Sequence, residues 1–258
     1  MPGASLEISN LNLSFGKVKA VDNVSLSIKA GERLAIIGPN GAGKTSLMNC
    51  VNGFYRPQSG SVLMDGVDIT RLPPHVRARR GIGRTFQNVQ LYKHETVLEN
   101  VRAAFSAFSG LNPLSVLKKF VWFGPGAKEE SQIYERAETV IDFLELWEYR
   151  NTHVVNLPLG LQRRIELARA LALDPKLLLL DEVMSGLTFD EKYDMVRFVL
   201  DINEERGVTV VLVEHDLKVI MEVCPRIVVM HQGQVIADGS PGEISMAPRV
   251  VEAYLGVG

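Results

Sequence analysis

The hydrophobic pattern of the first third of the chain predicts several strands with short helices between them. Apolar and polar residues partly alternate over 6–15 and again over 21–28, which predicts two strands. Residues 33–37 are a largely apolar run typical of a buried strand, and residues 44–51 follow with helical spacing. Residues 60–64, followed by an Asp-Gly pair, predict a further strand and a tight turn.

The pattern then changes, and residues 88–161 are predicted to be mostly helical. Thr96-x-x-Glu99 is a capping box ahead of apolar residues, so a helix is expected to begin there. A longer helix is predicted by the apolar face that is formed by Ile133, Ala137, Val140, Ile141 and Leu144.

Strands and helices alternate in the remainder of the chain. The pattern predicts helices over 162–173 and 190–206, strands over 177–180 and 208–213, and a short amphipathic helix over 248–255. Such alternation predicts a parallel sheet with helices on both faces. We therefore expect an α/β fold with a strand-rich N-terminal part and a helical insertion.

A glycine-rich turn joins the predicted strand 33–37 to the helix 44–51. Residues 38–45 have the sequence Gly-Pro-Asn-Gly-Ala-Gly-Lys-Thr, which fills every fixed position of the pattern G-x-x-x-x-G-K-S/T. Backbone N–H groups of such a turn, at the positive end of a helix, close around a polyphosphate. Lys44 is expected to reach the β- and γ-phosphates, and the Thr45 hydroxyl to ligate Mg²⁺.

Two acids follow the apolar run 177–180, which is predicted to be a central strand. Open α/β sheets bind ligands at the carboxyl ends of their strands. Asp181 is therefore expected to hold Mg²⁺, directly or through water, and Glu182 to orient or deprotonate an attacking water. Alone, the pair fits two solvated acids equally well, but the phosphate-binding turn favours the catalytic interpretation.

A histidine and a glutamine complete the candidate chemistry. His215 follows the predicted strand 208–213, from which it would reach a γ-phosphate as a hydrogen-bond donor. Gln87 lies where the first strand region gives way to the helical insertion, and its amide is expected to contact Mg²⁺ or water. Neither residue has diagnostic value alone, since a lone histidine is usually structural or exposed.

Composition narrows the class of protein. The chain has 258 residues, of which 46% are apolar and 22% charged, as is ordinary for a globular domain. The net charge of −2 gives no reason to expect a nucleic-acid partner. Cys50 and Cys224 form no disulfide framework and have no metal-ligand spacing. Without a bilayer-length apolar stretch or an export signal, we expect a cytoplasmic protein whose membrane role, if any, comes through a partner.

Together these motifs resemble the nucleotide-binding subunits of ABC transporters over nearly the whole chain. The resemblance identifies residues 38–45 as Walker A, 177–182 as Walker B, Gln87 as the Q-loop glutamine and His215 as the switch histidine. Phe15 matches the aromatic position that stacks on adenine, although it also fits a half-buried strand residue. The residues implied to bind nucleotide are Phe15, Gly38, Pro39, Asn40, Gly41, Ala42, Gly43, Lys44, Thr45, Ser46, Leu157 and Gly160.

The resemblance also implies an architecture. It predicts one ABC ATPase domain over 1–258, with a P-loop NTPase (RecA-like) core formed by 1–87 and 162–258. The core carries an N-terminal antiparallel β-subdomain, and 88–161 form the helical subdomain. Four segments resemble the ATPase subunits of branched-chain amino acid importers in particular: 84–91, 181–187, 214–217 and 253–256.

By resemblance, the chain is an ATP- and Mg²⁺-dependent ATPase that works as half of a homo- or heterodimer. The implied partners are a second ATPase subunit, integral membrane permease subunits and, indirectly, a solute-binding protein. They place the chain at the cytoplasmic face of the plasma membrane. The alternatives are an ATP-binding regulatory module with little hydrolysis, an importer ATPase for urea, amides or small organic acids, and a soluble ABC protein of DNA repair or translation. The last usually has two cassettes or basic surfaces, which this chain lacks.

Two segments depart from the family pattern. The signature Leu-Ser-Gly-Gly-Gln appears as Leu-Pro-Leu-Gly-Leu over 157–161, so only Leu157 and Gly160 match. Pro158 offers neither hydroxyl nor N–H, and Thr188 stands where the next motif has an acid. We expect the site completed by this signature to be weak, whereas the site containing Lys44 can be fully competent if a different subunit completes it.

Overall fold

The computed structural model describes residues 3–85, 90–106 and 125–255, and the chain packs as two compact units. The first unit comprises residues up to 87, 175–185 and those from 189 onward. The second comprises 88–174 and 186–188. The predicted boundary of the helical subdomain at residue 161 lies inside this second unit and stays a prediction.

The described elements begin with a strand-rich part, continue with consecutive helices and end with strands and helices that largely alternate. In chain order they are β1 (Leu6–Phe15), β2 (Val18–Ile28), β3 (Arg33–Ile37), α1 (Lys44–Asn52), β4 (Ser59–Met64), β5 (Val67–Asp68), α2 (Pro74–Arg79), β6 (Ile82–Arg84), α3 (Val97–Ser106), α4 (Pro125–Phe143), α5 (Leu159–Leu171), β7 (Leu177–Asp181), α6 (Phe189–Arg206), β8 (Thr209–Val213), α7 (Leu217–Val223), β9 (Arg226–His231), β10 (Gln234–Gly239), α8 (Pro241–Met246) and α9 (Pro248–Leu255). Single-turn 3₁₀ helices lie at Trp147–Tyr149 and Val154–Asn156.

The first unit contains two sheets. The N-terminal sheet is antiparallel, in the order β2-β1-β4-β5, which confirms the predicted antiparallel β-subdomain. The second sheet has the order β10-β9-β3-β8-β7-β6. Its strands from β9 to β6 are parallel, whereas β10 pairs antiparallel with β9. The predicted parallel sheet is therefore present from β9 to β6, and a hairpin that the sequence analysis did not recognise adds one antiparallel strand at its edge.

Register in the second sheet brings three loops to one edge. Val213 of β8 lies opposite Ile36 of β3 on one side and opposite Asp181 of β7 on the other. All five residues of β7 and of β8 are buried, as expected for central parallel strands. The segments that follow β3, β7 and β8 consequently leave the sheet side by side.

The second unit is built on helices whose starts follow from local chemistry. At α3, Glu99 N donates to Thr96 Oγ1 at 3.2 Å and Thr96 N donates to Glu99 Oε2 at 2.8 Å, so the predicted capping box is confirmed. Helix α5 begins at Leu159, three residues before the predicted start at Gln162, because Pro158 takes the extended conformation of an N-cap.

Candidate functional site

The turn between β3 and α1, residues 38–43, is pressed against its neighbours so closely that two positions admit only glycine. Gly38 and Gly43 have φ values of 149° and 101°. A Cβ at Gly38 would lie 2.1 Å from the Met230 carbonyl oxygen, and one at Gly43 would lie 2.2 Å from that of Ala20. Close backbone packing with positive φ is what this turn requires if its N–H groups are to converge on a phosphate.

Lys44, the first residue of α1, crosses the turn. Its ammonium donates to the carbonyl oxygens of Gly38 at 2.7 Å and Pro39 at 3.1 Å. Burial lowers the pKa of Lys44, and the nearby acids Glu182 and Asp181 oppose this shift. The structure thus aims the charge across the mouth of the turn, as a phosphate-binding lysine requires. Thr45 is exposed and Ser46 is half-buried.

The β9–β10 turn forms a wall of the phosphate-binding turn that sequence analysis did not identify. Gly233 N donates to the Ala42 carbonyl at 2.9 Å, and Asp22 N donates to the Gly233 carbonyl at 2.8 Å. One glycine therefore ties the turn to strand β2. The Gln-Gly pair at 232–233 is a recognisable turn signal, but nothing local indicates which distant segment it contacts.

Asp181 is buried at the end of β7, where it forms an ion pair with Arg84 at 3.0 Å. Arg84 also donates to Asn49 Oδ1 at 2.6 Å, so it joins α1 to β7. Burial raises the pKa of Asp181, partly offset by the guanidinium. Among the described residues, Asp181 Oδ1 accepts no hydrogen bond. A buried carboxylate oxygen with unused acceptor capacity fits a hydrated Mg²⁺, as predicted for Asp181.

Glu182 and His215 meet at the ends of β7 and β8. His215 Nε2 lies 2.6 Å from Glu182 Oε1. The Glu182 N–H donates to the Val213 carbonyl at 2.8 Å, and its backbone has the left-handed φ of 53°. A non-glycine residue in that conformation is held by its surroundings, which is common at functional sites. The structure thus brings together the two residues to which sequence analysis assigned chemistry at the γ-phosphate.

Glu214 is a further acid at this edge, and its position was missed as a site feature. Its side chain is buried and accepts a hydrogen bond from Met184 N at 2.8 Å. Burial raises the pKa of Glu214 to about 7. The sequence placed this residue at the end of a strand, but only the fold shows that it faces the segment after β7.

Two further predicted residues are Phe15 and Gln87. Phe15 is 49% exposed, and its ring meets Tyr55 edge to face, with centroids 5.2 Å apart. The exposed ring leaves the adenine-stacking role a prediction. Gln87 lies outside the described residues, and so does its predicted contact with Mg²⁺ or water.

The signature segment, residues 157–161, spans the start of α5 in the second unit. Leu157 and Gly160 are buried. Pro158 is the N-cap, and no side chain caps the helix start. Gln162 Nε2 donates to the Leu157 carbonyl at 2.8 Å, so it serves the local backbone. Their role toward a nucleotide stays a prediction.

The candidate site lies in a chain whose described helices do not suit a bilayer. Within residues 3–85, 90–106 and 125–255, none of the helices has both the length and the apolar content needed to cross a membrane.

Known proteins of similar sequence support the assignment of this site. Residues 21–185 match the family model described as ABC transporter, and 234–258 match that of branched-chain amino acid ATP-binding cassette transporters. The chain is 40% identical to BraF of Pseudomonas aeruginosa and 37% identical to LivG of Escherichia coli K12, with 97% of each chain covered in both comparisons. Both relatives are described as high-affinity branched-chain amino acid transport ATP-binding proteins.

Solved structures show the same fold. An ATP-binding cassette of an ABC transporter in its ADP conformation has a TM-score of 0.84 at 33% identity, with 99% of each chain covered. A dimeric cassette bound to ADP and Pi after hydrolysis has a TM-score of 0.75 at 28% identity, over 92% of this chain and 98% of that one. These likenesses confirm the predicted α/β P-loop fold. The chain therefore belongs to the ABC transporter family.

Proposed function

We propose that this chain is the ATP-hydrolysing subunit of an importer for branched-chain or other apolar amino acids. The observation that carries the proposal is the edge where β3, β7 and β8 end, since it presents the phosphate-binding turn, Asp181 and the Glu182–His215 pair together. The relatives described as branched-chain amino acid transport proteins support the class of cargo.

Each group at this edge has a definite task in the proposal. The turn at 38–43 and Lys44 bind the phosphates and neutralise charge that develops on the transferred group. Glu182 orients or deprotonates the attacking water, and His215 holds Glu182 while donating toward the γ-phosphate. Asp181, Thr45 and Gln87 are the proposed Mg²⁺ ligands, and the ion would shield the charge of the phosphates.

The proposed assembly is a nucleotide-sandwich dimer in a membrane complex. A second ATPase subunit, identical or different, contributes its signature to the ATP that Lys44 holds, and the dimeric cassette at 28% identity supports this arrangement. The helical segment 88–161 would contact permease subunits that receive solute from a binding protein. The chain would thus be peripheral, at the cytoplasmic face of the membrane.

A second candidate is an ATP-binding regulatory module that hardly turns ATP over. The helix start at Pro158, which lacks a side-chain cap, favours this alternative because the signature normally donates there to a γ-phosphate. The Glu182–His215 pair argues against it. An importer ATPase for urea, amides or small organic acids fits the same site, because the ATPase does not contact the cargo.

Glu182→Gln tests hydrolysis directly. Steady-state ATP hydrolysis by the chain with its partner subunits should fall about a hundred-fold or more, because the general base is lost, while ATP binding persists. Glu205→Gln, at an exposed position of α6, is the matched control and should retain wild-type turnover. Wild-type hydrolysis no faster than that of Glu182→Gln would favour the regulatory module. Identification of the solute bound by the co-purified complex tests the cargo.

A further inference from the structure

We infer that Glu214 is a positioning residue that fixes the direction of Glu182 by holding the backbone turn in which Glu182 lies; this inference rests on the proposed function. The turn comprises residues 182–185, directly after β7, and is called here the glutamate turn. Glu214 lies at the end of the neighbouring strand β8 and contacts the turn through its carboxylate.

Three hydrogen bonds define the glutamate turn. Glu182 N donates to the Val213 carbonyl at 2.8 Å, and Ser185 N donates to the Glu182 carbonyl at 3.1 Å. Between them, Met184 N donates to Glu214 Oε1 at 2.8 Å. The Glu214 contact is the one made by a side chain, so a substitution can remove it while the backbone bonds remain.

The turn needs such a restraint because its first residue is strained. Glu182 has a φ of 53°, a conformation that side-chain-bearing residues adopt only where the surroundings compensate for the cost. Met184 is 1% exposed and Glu214 is 4% exposed, so water does not replace a lost acceptor at this position. An unsatisfied N–H would therefore drive the turn to rearrange.

Glu214 also lies beside the backbone of the residue that follows it. The backbone N–H of His215 is close enough to the Glu214 carboxylate to lower the pKa of Glu214, so the carboxylate faces the segments that carry both Glu182 and His215. The two catalytic candidates meet at 2.6 Å between Nε2 and Oε1. Loss of the Glu214 acceptor would release the Glu182 side of this contact.

The acceptor, rather than the negative charge, carries the effect. Burial raises the pKa of Glu214 to about 7, and the neighbouring Glu182 raises it further. A protonated carboxyl group still offers a carbonyl oxygen to Met184 N, and a glutamine amide does the same. A methionine has similar length but no strong acceptor. Comparison of methionine and glutamine variants at position 214 therefore separates the effect of losing the hydrogen-bond acceptor from the effect of changing the side-chain shape.

The test compares Glu214→Met with Glu214→Gln in the assembled complex. Glu214→Met should lower kcat for ATP about a hundred-fold and leave KM for ATP within about two-fold of wild type, because a displaced catalytic group affects turnover more than binding. Glu214→Gln should retain kcat within about three-fold. Amide hydrogen exchange at Met184 should accelerate in Glu214→Met and stay slow in Glu214→Gln.

Asn203→Leu is the matched control, since it removes a buried side chain that donates to the Val208 and Gly31 carbonyls, away from the glutamate turn. It should lower the thermal midpoint and leave kcat unchanged. In a Glu182→Gln background, Glu214→Met should cause no further loss, as expected if it acts through Glu182. Any one of three results would overturn the inference. They are wild-type activity in Glu214→Met, equal losses of kcat in both Glu214 variants, and a loss of kcat in Asn203→Leu. An inactive wild-type complex would instead refute the proposed function.

Discussion

The phosphate-binding turn matches the family pattern fully, whereas the signature segment departs from it. In the turn, every fixed position is present, and Gly38 and Gly43 are pressed against backbone carbonyls that exclude any side chain. In the signature segment, Pro158 stands at the helix start without a capping side chain. The phosphate-binding turn thus meets every requirement of the pattern, whereas the signature segment lacks the serine hydroxyl donor.

If the second subunit is a different one with an intact signature, the two ATP sites of the proposed dimer are not equivalent. The turn and its acids contribute to one site, and the signature contributes to the other. Losing one hydrogen bond to a charged group costs about 1.5–3 kcal/mol, and the helix-end field persists without it. A chain of this kind suits a dimer in which a different subunit supplies an intact signature.

Lys44→Ala, at the phosphate-binding turn, should produce the largest effect on ATP hydrolysis. Removal of the ammonium beside the Gly38 and Pro39 carbonyls leaves the phosphates without their charge partner, so kcat/KM for ATP should fall about 10³-fold. Steady-state hydrolysis by the complex measures the change, and the exposed Lys29→Ala is the control. Wild-type kcat/KM in Lys44→Ala would remove the basis for treating this turn as the phosphate site.

Glu214→Gln, beside the glutamate turn, should change how the stability of the protein depends on pH. The folded-state pKa of about 7 lies above the ordinary 4.5, so the folded protein holds the proton more tightly and loses stability as pH rises between these values. Relative to pH 4, Glu214→Gln should gain about 3 kcal/mol over wild type by pH 8. Urea unfolding midpoints at both pH values measure this, and a pH-independent difference would contradict it.

Pro158→Ser should raise the activity of the ATP site that the signature segment completes. A serine hydroxyl at the helix start restores a donor toward a γ-phosphate and is a favoured N-cap, so hydrolysis at the site completed by this signature should rise about ten-fold. The measurement is turnover of a complex whose other site carries Glu182→Gln. Pro158→Ala, which restores the N–H alone, is the control. Equal rates in the serine variant and wild type would show that Pro158 does not weaken the site.

Phe15→Ala should have the smallest effect, because it concerns the base rather than the phosphates. Loss of stacking on the half-exposed ring should raise KM for ATP about five-fold with little change in kcat. Phe15→Tyr keeps a π-face and should retain wild-type KM. A larger change in Phe15→Tyr than in Phe15→Ala would argue against stacking.

The sequence predicted the parts of the site that are local in the chain. Strand β3, the glycine-rich turn and α1 are adjacent, so their pattern sufficed to predict each within a residue. The rule that parallel strands end at one edge placed Glu182 and His215 near the same phosphate, but their direct contact was not predicted. The contacts that sequence analysis missed join distant segments: Arg84 to Asp181, Gly233 to Ala42 and Glu214 to Met184. Side-chain periodicity carries no information about such pairs, since sheet order decides them.

A structure of the complex with Mg²⁺ and a non-cleavable ATP analogue tests the central claim most directly. We expect the Lys44 ammonium to leave the Gly38 and Pro39 carbonyls for phosphate oxygens, and the Glu182 carboxylate to face the γ-phosphorus across one water. Density for the analogue elsewhere, with Lys44 still on its own turn or Glu182 directed away, would contradict the account.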